Sequence, residues 1–599
     1  MAERLGRGLQ NLVQRFESAR DLRKLPQQGA FCFLYRFVNN GFISGIYPDQ
    51  LVKFEHRSTF LSQMRLYEKH LDLLNKIIEN NKHSKPISHF AGETITRELL
   101  EKAYAEGHER FDRYLNNRFE ELRQGNPSRW LGEEESPYSQ ELLGITYPAF
   151  EVDALLQRGK EEYHKWRKVD KFTRAGLLLE SIHRISKRFN EIAAAMMHTT
   201  GQNFNIAFFS ASLAADYSLC MVGSGVTKIT EIIADNYSAH KRKIIIPKGI
   251  SLIIGDSSAP MLNSLPSIYA SLITGNAVIV KPHPKIVLPL AIAISEIQKV
   301  FSENGFDPNV CQLAIDSYEG LISDYLAVNN ATRIIDFYGS TEFGKFLEKI
   351  PGKTIFCFKR GINSVIVDSV DDPDKVIKNL AVSSIYYSGQ RFDSYQNIFI
   401  PKNGVKTKGG NIPYDDFVQR LSDQISHFRK DRQQALNIGG SIQNVKIFDR
   451  IRITERLDGN LRLASESIEN EFYDHARTAS PMLMELDTVQ DDVFNQKYFG
   501  PIIFIIKTES SDHSLALAKE TAVAYGTNIC YAYTTSDVYR EKVIDNMALV
   551  NVPTCINETA MFDYWQDPHN IELMKFFIRS RINHTDFVYK RFNVVDVWE

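Results

Sequence analysis

The chain has 599 residues, 43% of them hydrophobic, and a formal net charge of -2 at pH 7. That length and apolar content suffice for two or three domains with substantial cores, and the near-neutral balance gives no electrostatic footprint for nucleic acid. Six cysteines, Cys32, Cys220, Cys311, Cys357, Cys530 and Cys555, are scattered with no CxxC pair, which argues against a zinc site or a disulfide framework and fits a reducing compartment.

The opening residues Met1-Ala2-Glu3-Arg4-Leu5-Gly6-Arg7 carry no apolar signal core, and no apolar run reaches the roughly 18–20 residues that span a bilayer. A soluble cytoplasmic protein without a transmembrane segment is expected. Leu5, Leu9, Leu12, Val13 and Phe16 fall at helical spacing beside Arg4, Arg7, Arg15, Arg20 and Arg23. A membrane-surface helix would use that pattern, but Glu3, Glu17 and Asp21 interrupt the basic face, so a helix docked on its own domain is favoured. Apolar residues at helical intervals in Leu61–Asn81 and Glu98–Gln124 predict a helical N-terminal region, ended by the loop chemistry of Gly125-Asn126-Pro127-Ser128.

One long amphipathic helix is predicted over Phe172–Thr200, followed by alternating strands and helices of a doubly wound α/β fold. Residues Ile244 to Gly255 read as a strand, a turn and a buried strand; a helix follows around Ser264–Ile273, and Ala277-Val278-Ile279-Val280 is the next strand. Lys281 then sits at the carboxyl end of a βαβ crossover, where such sheets bind ligands. A second unit, Arg333 to Gly344, runs a strand into the Gly339-Ser340-Thr341 turn and a helix, aiming backbone N–H groups at an anion such as a pyrophosphate.

Residues Tyr387-Ser388-Gly389-Gln390-Arg391-Phe392 and Tyr395-Gln396-Asn397-Ile398-Phe399-Ile400-Pro401 resemble the nucleophile segment of the aldehyde dehydrogenase superfamily. The resemblance extends in order from Gly249 to Pro501. Within that superfamily the chain is most similar to the phenylacetate-degradation PaaN branch, through Glu134-Glu135-Ser136-Pro137-Tyr138, Gly144-Ile145-Thr146-Tyr147-Pro148, His198-Thr199-Thr200-Gly201-Gln202, Lys281-Pro282-His283-Pro284 and Gly305-Phe306-Asp307-Pro308-Asn309. It implies a helical region over 1–130, a Rossmann-like dinucleotide-binding domain over 131–356 with an oligomerisation strand near 241–249, a catalytic-type domain over 357–550, and a C-terminal segment, 551–599, returning to the cofactor and oligomerisation region.

The resemblance also implies an NADP-dependent oxidation of a CoA-linked semialdehyde. Aldehyde oxidation requires a nucleophile on the carbonyl, a cysteine thiolate in this superfamily, yet the matching position holds Phe392. The general base, a Glu in a Glu-Leu-Gly-Gly-Lys-type strand end, is replaced by Phe358, and the ribose-clamping Glu of Glu-x-Phe-Gly-Pro by Lys497, a cation that cannot accept hydrogen bonds. Lys281, Gly339, Ser340 and Gly344 match cofactor contacts, and Ser257 or Ser258 lies where an oxyanion donor belongs. Pro284 stands where NAD-selective relatives carry an acid, so NADP is expected over NAD.

Phe392 and Phe358 are expected to fill the former pocket, with the two rings stacking. Cys357 should turn away from the face that residue 358 occupies, since strand neighbours alternate. Lys281 has a blander reading as a snorkelling strand-end lysine, and His198, His283 and His475 read as ordinary histidines with no metal-ligand spacing. Two functional readings follow: a non-catalytic or repurposed homologue that retains a dinucleotide, or an NAD(P)-dependent oxidoreductase working without the usual thiol. In both, the expected partners are a small aldehyde or CoA-thioester and a second copy of the chain as a homodimer, with no metal.

Overall fold

The computed structural model describes residues 66–83, 96–234, 241–559 and 586–598. The amphipathic segment at Leu5–Phe16 and the start of the Leu61–Asn81 helix lie outside them. A five-stranded parallel sheet comprises β1 (Ile250–Ile254), β2 (Ala277–Lys281), β3 (Cys311–Leu313), β4 (Thr332–Gly339) and β5 (Thr354–Lys359), in the order β3-β2-β1-β4-β5. Strands β1 and β2 are buried along their whole lengths. That explains why they read as continuous apolar runs rather than alternating ones. The strand order reverses between β1 and β4, which sets the carboxyl ends of β2 and β4 around the crevice where doubly wound sheets hold ligands.

A seven-stranded sheet comprises β6 (Ser364–Val367), β7 (Asn397–Pro401), β8 (Asn460–Leu463), β9 (Met482–Asp487), β10 (Ile502–Thr508), β11 (Cys530–Tyr533) and β12 (Thr554–Ile556). Its order is β8-β9-β10-β7-β6-β11-β12, parallel except for the edge pair β8–β9. Residues Arg360–Asn363 alone connect the two sheets. A Cβ on Gly361 would lie 2.7 Å from the Gly526 carbonyl oxygen, so the close approach of this connection to the second sheet requires glycine.

Around the first sheet pack helices Val152–Trp166, Lys171–Ser186, Phe189–Thr200, Phe204–Ala234, Pro260–Ile273 and Leu288–Glu303. The predicted single helix over Phe172–Thr200 is two, broken at Arg188, whose backbone is non-helical (φ -110°, ψ 13°). The Arg188 guanidinium gathers Glu121, Glu191, Glu296 and the Tyr114 hydroxyl at 2.6–2.9 Å, a constellation no periodicity reports. Helix Pro260–Ile273 starts earlier than predicted because Pro260 occupies its first turn, where a missing N–H costs nothing.

Helix Phe204–Ala234 is long and apolar enough to cross a membrane, but 89% of its most apolar window is buried inside the protein, the environment of a core helix. Strand Lys241–Pro247 is covered by the C-terminal strand Phe592–Trp598 in an antiparallel ribbon, Ile245 opposite Val594. The alternation in Phe592-Asn593-Val594-Val595-Asp596-Val597-Trp598 is the sequence trace of that partner.

Candidate functional site

A cleft of about 260 Å³ opens where the two sheets meet. Its walls come from the turn after β4 (Ser340, Thr341, Glu342), the inter-sheet connection (Arg360, Gly361), the segment Gly389–Gln396 that precedes β7, and residues Lys497–Gly500 before β10. The segment approaching Phe392 is strained: Tyr387 and Ser388 adopt left-handed backbone angles, φ 51° and 50°, each costing on the order of 1–3 kcal/mol unless the surroundings enforce it. They do. Tyr387 donates its hydroxyl to the Thr200 carbonyl (2.7 Å), Ser388 donates to Gly440 O (2.8 Å), and Gln390 Nε2 donates to Ser441 O (2.9 Å). Gly389, at φ 65°, lies so close to Gly500 that a Cβ would come within 2.4 Å of its carbonyl oxygen.

Phe392 is half-buried and lines the cleft. Its carbonyl oxygen is fixed by Asn363 Nδ2 (2.8 Å) and Asn528 Nδ2 (3.1 Å). Arg391 beside it is turned inward, donating Nε to Asp393 Oδ1 (2.8 Å) and stacking over Tyr386. Phe358, at the end of β5, does not stack on Phe392 as expected but lies parallel to Tyr338, ring centroids 4.5 Å apart. The neighbouring strand β4 presents Tyr338 directly opposite Phe358 in register, so the cross-strand partner wins over the one across the cleft. Cys357 points the other way, its Sγ 2.8 Å from where a Cβ of Gly344 would be. Burial pushes its thiol up to about 11, which keeps it protonated and poorly nucleophilic.

The predicted cofactor residues sit at two strand ends. Lys281 is not a snorkelling lysine: its Nζ is 2.8 Å from Asp316 Oδ2, and both side chains are almost fully buried. Burial lowers the Lys281 pKa and raises that of Asp316, each against the pull of the partner's charge. Asp316 Oδ1 is buried with no hydrogen-bond partner. Gly339 leaves space taken by the Phe337 ring, 2.6 Å from a hypothetical Cβ, and Ser340 caps helix Thr341–Glu348 by accepting from Phe343 N (3.2 Å). Gly344 allows that helix to approach β5, where a Cβ would lie 2.5 Å from Lys359 Cγ. The Ser258 hydroxyl donates to Asp256, which also accepts from Asn263 Nδ2 (2.9 Å), and Ser257 is half-buried in the same loop.

Lys497 reaches across the junction, donating to Thr341 Oγ1 (2.7 Å) and Arg360 O (2.7 Å). The Arg360 guanidinium carbon lies over the Phe499 ring, 3.8 Å from its centroid, and Arg450 Nη1 donates to Phe499 O (3.2 Å). Sequence reasoning missed Arg360, Arg450 and Asp316. Arg360 had a signal, since it stands where the Glu-Leu-Gly-Gly-Lys pattern has glycine; the other two had none, because their roles depend on which elements become neighbours. His198 and His283 are depressed by burial to about 3 and about 4, as packed rather than ligating histidines. Among the described residues no cluster of side chains could hold a metal ion.

The sequence profile of the aldehyde dehydrogenase family matches residues 133–564. The crystal structure of an NAD-dependent aldehyde dehydrogenase from Burkholderia multivorans is similar at a TM-score of 0.81 and 32% identity, covering 89% of this chain and 98% of that one. A 1-pyrroline-5-carboxylate dehydrogenase of Bacillus thuringiensis (strain Al Hakam) is 22% identical over 400 residues, 64% of this chain and 74% of the relative. The Thermus 1-pyrroline-5-carboxylate dehydrogenase with bound NAD shares the fold, with a TM-score of 0.66 at 17% identity over 86% of this chain and 98% of that one. The chain belongs to the aldehyde dehydrogenase family.

Proposed function

We propose that this family member has abandoned thiol-dependent aldehyde oxidation and serves as a non-catalytic or repurposed homologue that retains a dinucleotide. The observation that carries this reading is Phe392 in the cleft wall, on a backbone held from both sides. A benzyl group has no lone pair to add to a carbonyl and occupies the volume a carbonyl would need. Phe358 and the inward-facing, high-pKa Cys357 offer no substitute base or nucleophile.

A nicotinamide dinucleotide, when bound, supplies a hydride acceptor. The residues at its adenosine end fit it: Asp316 Oδ1 is a buried acceptor without a donor, beside Lys281 at a strand end, which suits a ribose hydroxyl. That carboxylate disfavours a 2′-phosphate, so NAD is the better match, against the NADP preference expected from Pro284. At the other end the fit fails, because Lys497 and Arg360 present cations where the ribose hydroxyls need an acceptor.

The PaaN-like affiliation and a cytoplasmic setting remain part of this proposal. Several residues behind that resemblance serve architecture: Glu134 accepts from the backbone N–H of Val287 (2.6 Å) and Leu288 (2.9 Å), starting the helix that follows Lys281-Pro282-His283-Pro284. Purified protein should turn over neither medium-chain aldehydes nor CoA-linked semialdehydes with NAD or NADP, while a fluorescence titration should find saturable NAD binding, tighter than NADP. Turnover abolished by iodoacetamide would sink the thiol-free reading, and tighter NADP binding would favour the preference that Pro284 implies.

A further inference from the structure

We infer that the cleft between the two sheets binds a small organic anion, gripped by Arg360, Arg450 and Lys497, which converge there from the inter-sheet connection, helix Lys446–Thr454 and the segment before β10. This deepens the proposed function, since it assigns an occupant to a cleft freed from thiol chemistry. Among the described residues, none of the three cations makes an ion pair, whereas Arg391 in the same wall is neutralised by Asp393. Among the described residues Glu342 is the one carboxylate in the cleft wall, and it acts on Lys497 by its charge.

Arg450 acts against the charge on Arg360, and Lys345 and Lys359 against that on Lys497, so positive charge in this half-buried wall is stabilised by a counter-charge. Burial lowers the pKa of Arg360; the Asp256 carboxylate opposes this, and Arg450 adds a smaller push in the same direction as burial. The Arg360 guanidinium is already oriented by its stack on Phe499, and Lys497 is fixed by two hydrogen bonds, so little side-chain freedom is lost on binding. A planar guanidinium fork matches carboxylate or phosphate oxygens in pairs. At about 260 Å³ the cleft is just below the roughly 300–1,000 Å³ of drug-sized ligand sites. That size suits a short dicarboxylate or a small phosphate rather than a whole dinucleotide. Phe392, Tyr498 and Phe499 line the remainder and would cover the ligand's carbon skeleton.

Calorimetric titration of the full chain with inorganic pyrophosphate and, separately, with glutarate tests this, each at ionic strength held constant with sodium chloride. Saturable binding of at least one probe is expected, weakened tenfold or more in Arg450→Met and restored in part by Arg450→Lys. The relative affinity of the two probes identifies the head group as phosphate or carboxylate. Arg450 is half-exposed on its helix, so circular dichroism of the variants should match the wild type; Arg360→Met provides a second, independent removal of charge. Failure of both probes to bind, or binding undiminished in both Met variants, would overturn the anion site. Either result leaves the iodoacetamide assay untouched, so the anion site and the thiol-free reading can fail separately.

Discussion

Phe392 and Phe358 differ in how they are held. Phe392 lines the cleft on a pinned backbone, while Phe358 is stacked in register on Tyr338. Placing Cys at 392 and Glu at 358 supplies the two reacting groups the resemblance implies there, yet the double variant is expected to stay far below an ordinary dehydrogenase. General-base assistance is worth about 10²–10⁴ in rate only when the base reaches its proton, and a Glu at 358 starts from a ring that packs against β4. Loss of the Phe358 ring should also cost a few kcal/mol, within the roughly 3–5 kcal/mol seen for large aromatic truncations. Adding Lys497→Glu supplies a hydrogen-bond acceptor, and cofactor affinity should rise about tenfold, in line with the roughly 1.5–3 kcal/mol of bonds to charged groups. Full activity in the double variant, measured as reduced cofactor formed from a medium-chain aldehyde, would refute the proposal of a site changed beyond these two positions.

A buried ion pair ties the described part of the C-terminal segment to the first sheet. Arg591 donates Nη1 to Asp336 Oδ2 (2.8 Å) and Nη2 to Asp336 Oδ1 (2.6 Å), with both side chains fully buried, and its guanidinium lies over Phe356 and Phe587. Removing one partner strands a buried charge, so Arg591→Met should destabilise by about 3–5 kcal/mol. Arg591→Met with Asp336→Leu should recover much of that loss. A urea midpoint unchanged in the single variant would refute the role assigned to the pair.

A second anchor joins the segment around helix Leu71–Lys82 to helix Lys171–Ser186. Glu180 accepts from Lys69 (2.6 Å), pairs with His70 (2.8 Å) and accepts from Arg184 (3.1 Å). Burial acts to raise the Glu180 pKa, but these bonds outweigh it and hold the carboxyl at about 2, below its ordinary 4.5. A depressed carboxylate stabilises the fold fully above pH 4.5, and that contribution is lost as pH falls toward 2. Glu180→Gln should therefore lower stability at pH 7 and flatten the decline between pH 4.5 and 2, read from urea midpoints across that range. An unchanged slope would show that the anchor carries no linkage.

On the scale of the molecule, Lys241–Pro247 and Phe592–Trp598 form, among the described residues, a sheet of two strands. Two-stranded ribbons are marginal alone and their edges invite pairing. Ile244 and Val595 remain 37% and 42% exposed on it. Self-association as a dimer is the expected outcome at micromolar concentration, measured by light scattering, with Ile244→Lys shifting it toward monomer. A strict monomer in the wild type would show the ribbon to be self-sufficient.

The βαβ crossover, the Gly-Ser-Thr turn and the nucleophile-type segment were all legible in the sequence, because each is written in contiguous residues whose periodicity and turn chemistry act locally. The readings of Phe392, Phe358 and Lys497 as departures from ordered motifs come from the same contiguous residues and belong to the proposed function. Only the tertiary structure decided the rest. Lys281 meets Asp316 because β2 and β3 are neighbours, Phe358 meets Tyr338 because β4 and β5 pair in register, and Arg360, Arg450 and Lys497 converge because the two sheets close on a short connection. The break at Arg188 and the Arg591–Asp336 pair likewise join residues far apart in the chain. Local patterns determine which elements form, but the partners of a buried charge depend on which elements become neighbours, and that is settled only when the whole chain packs.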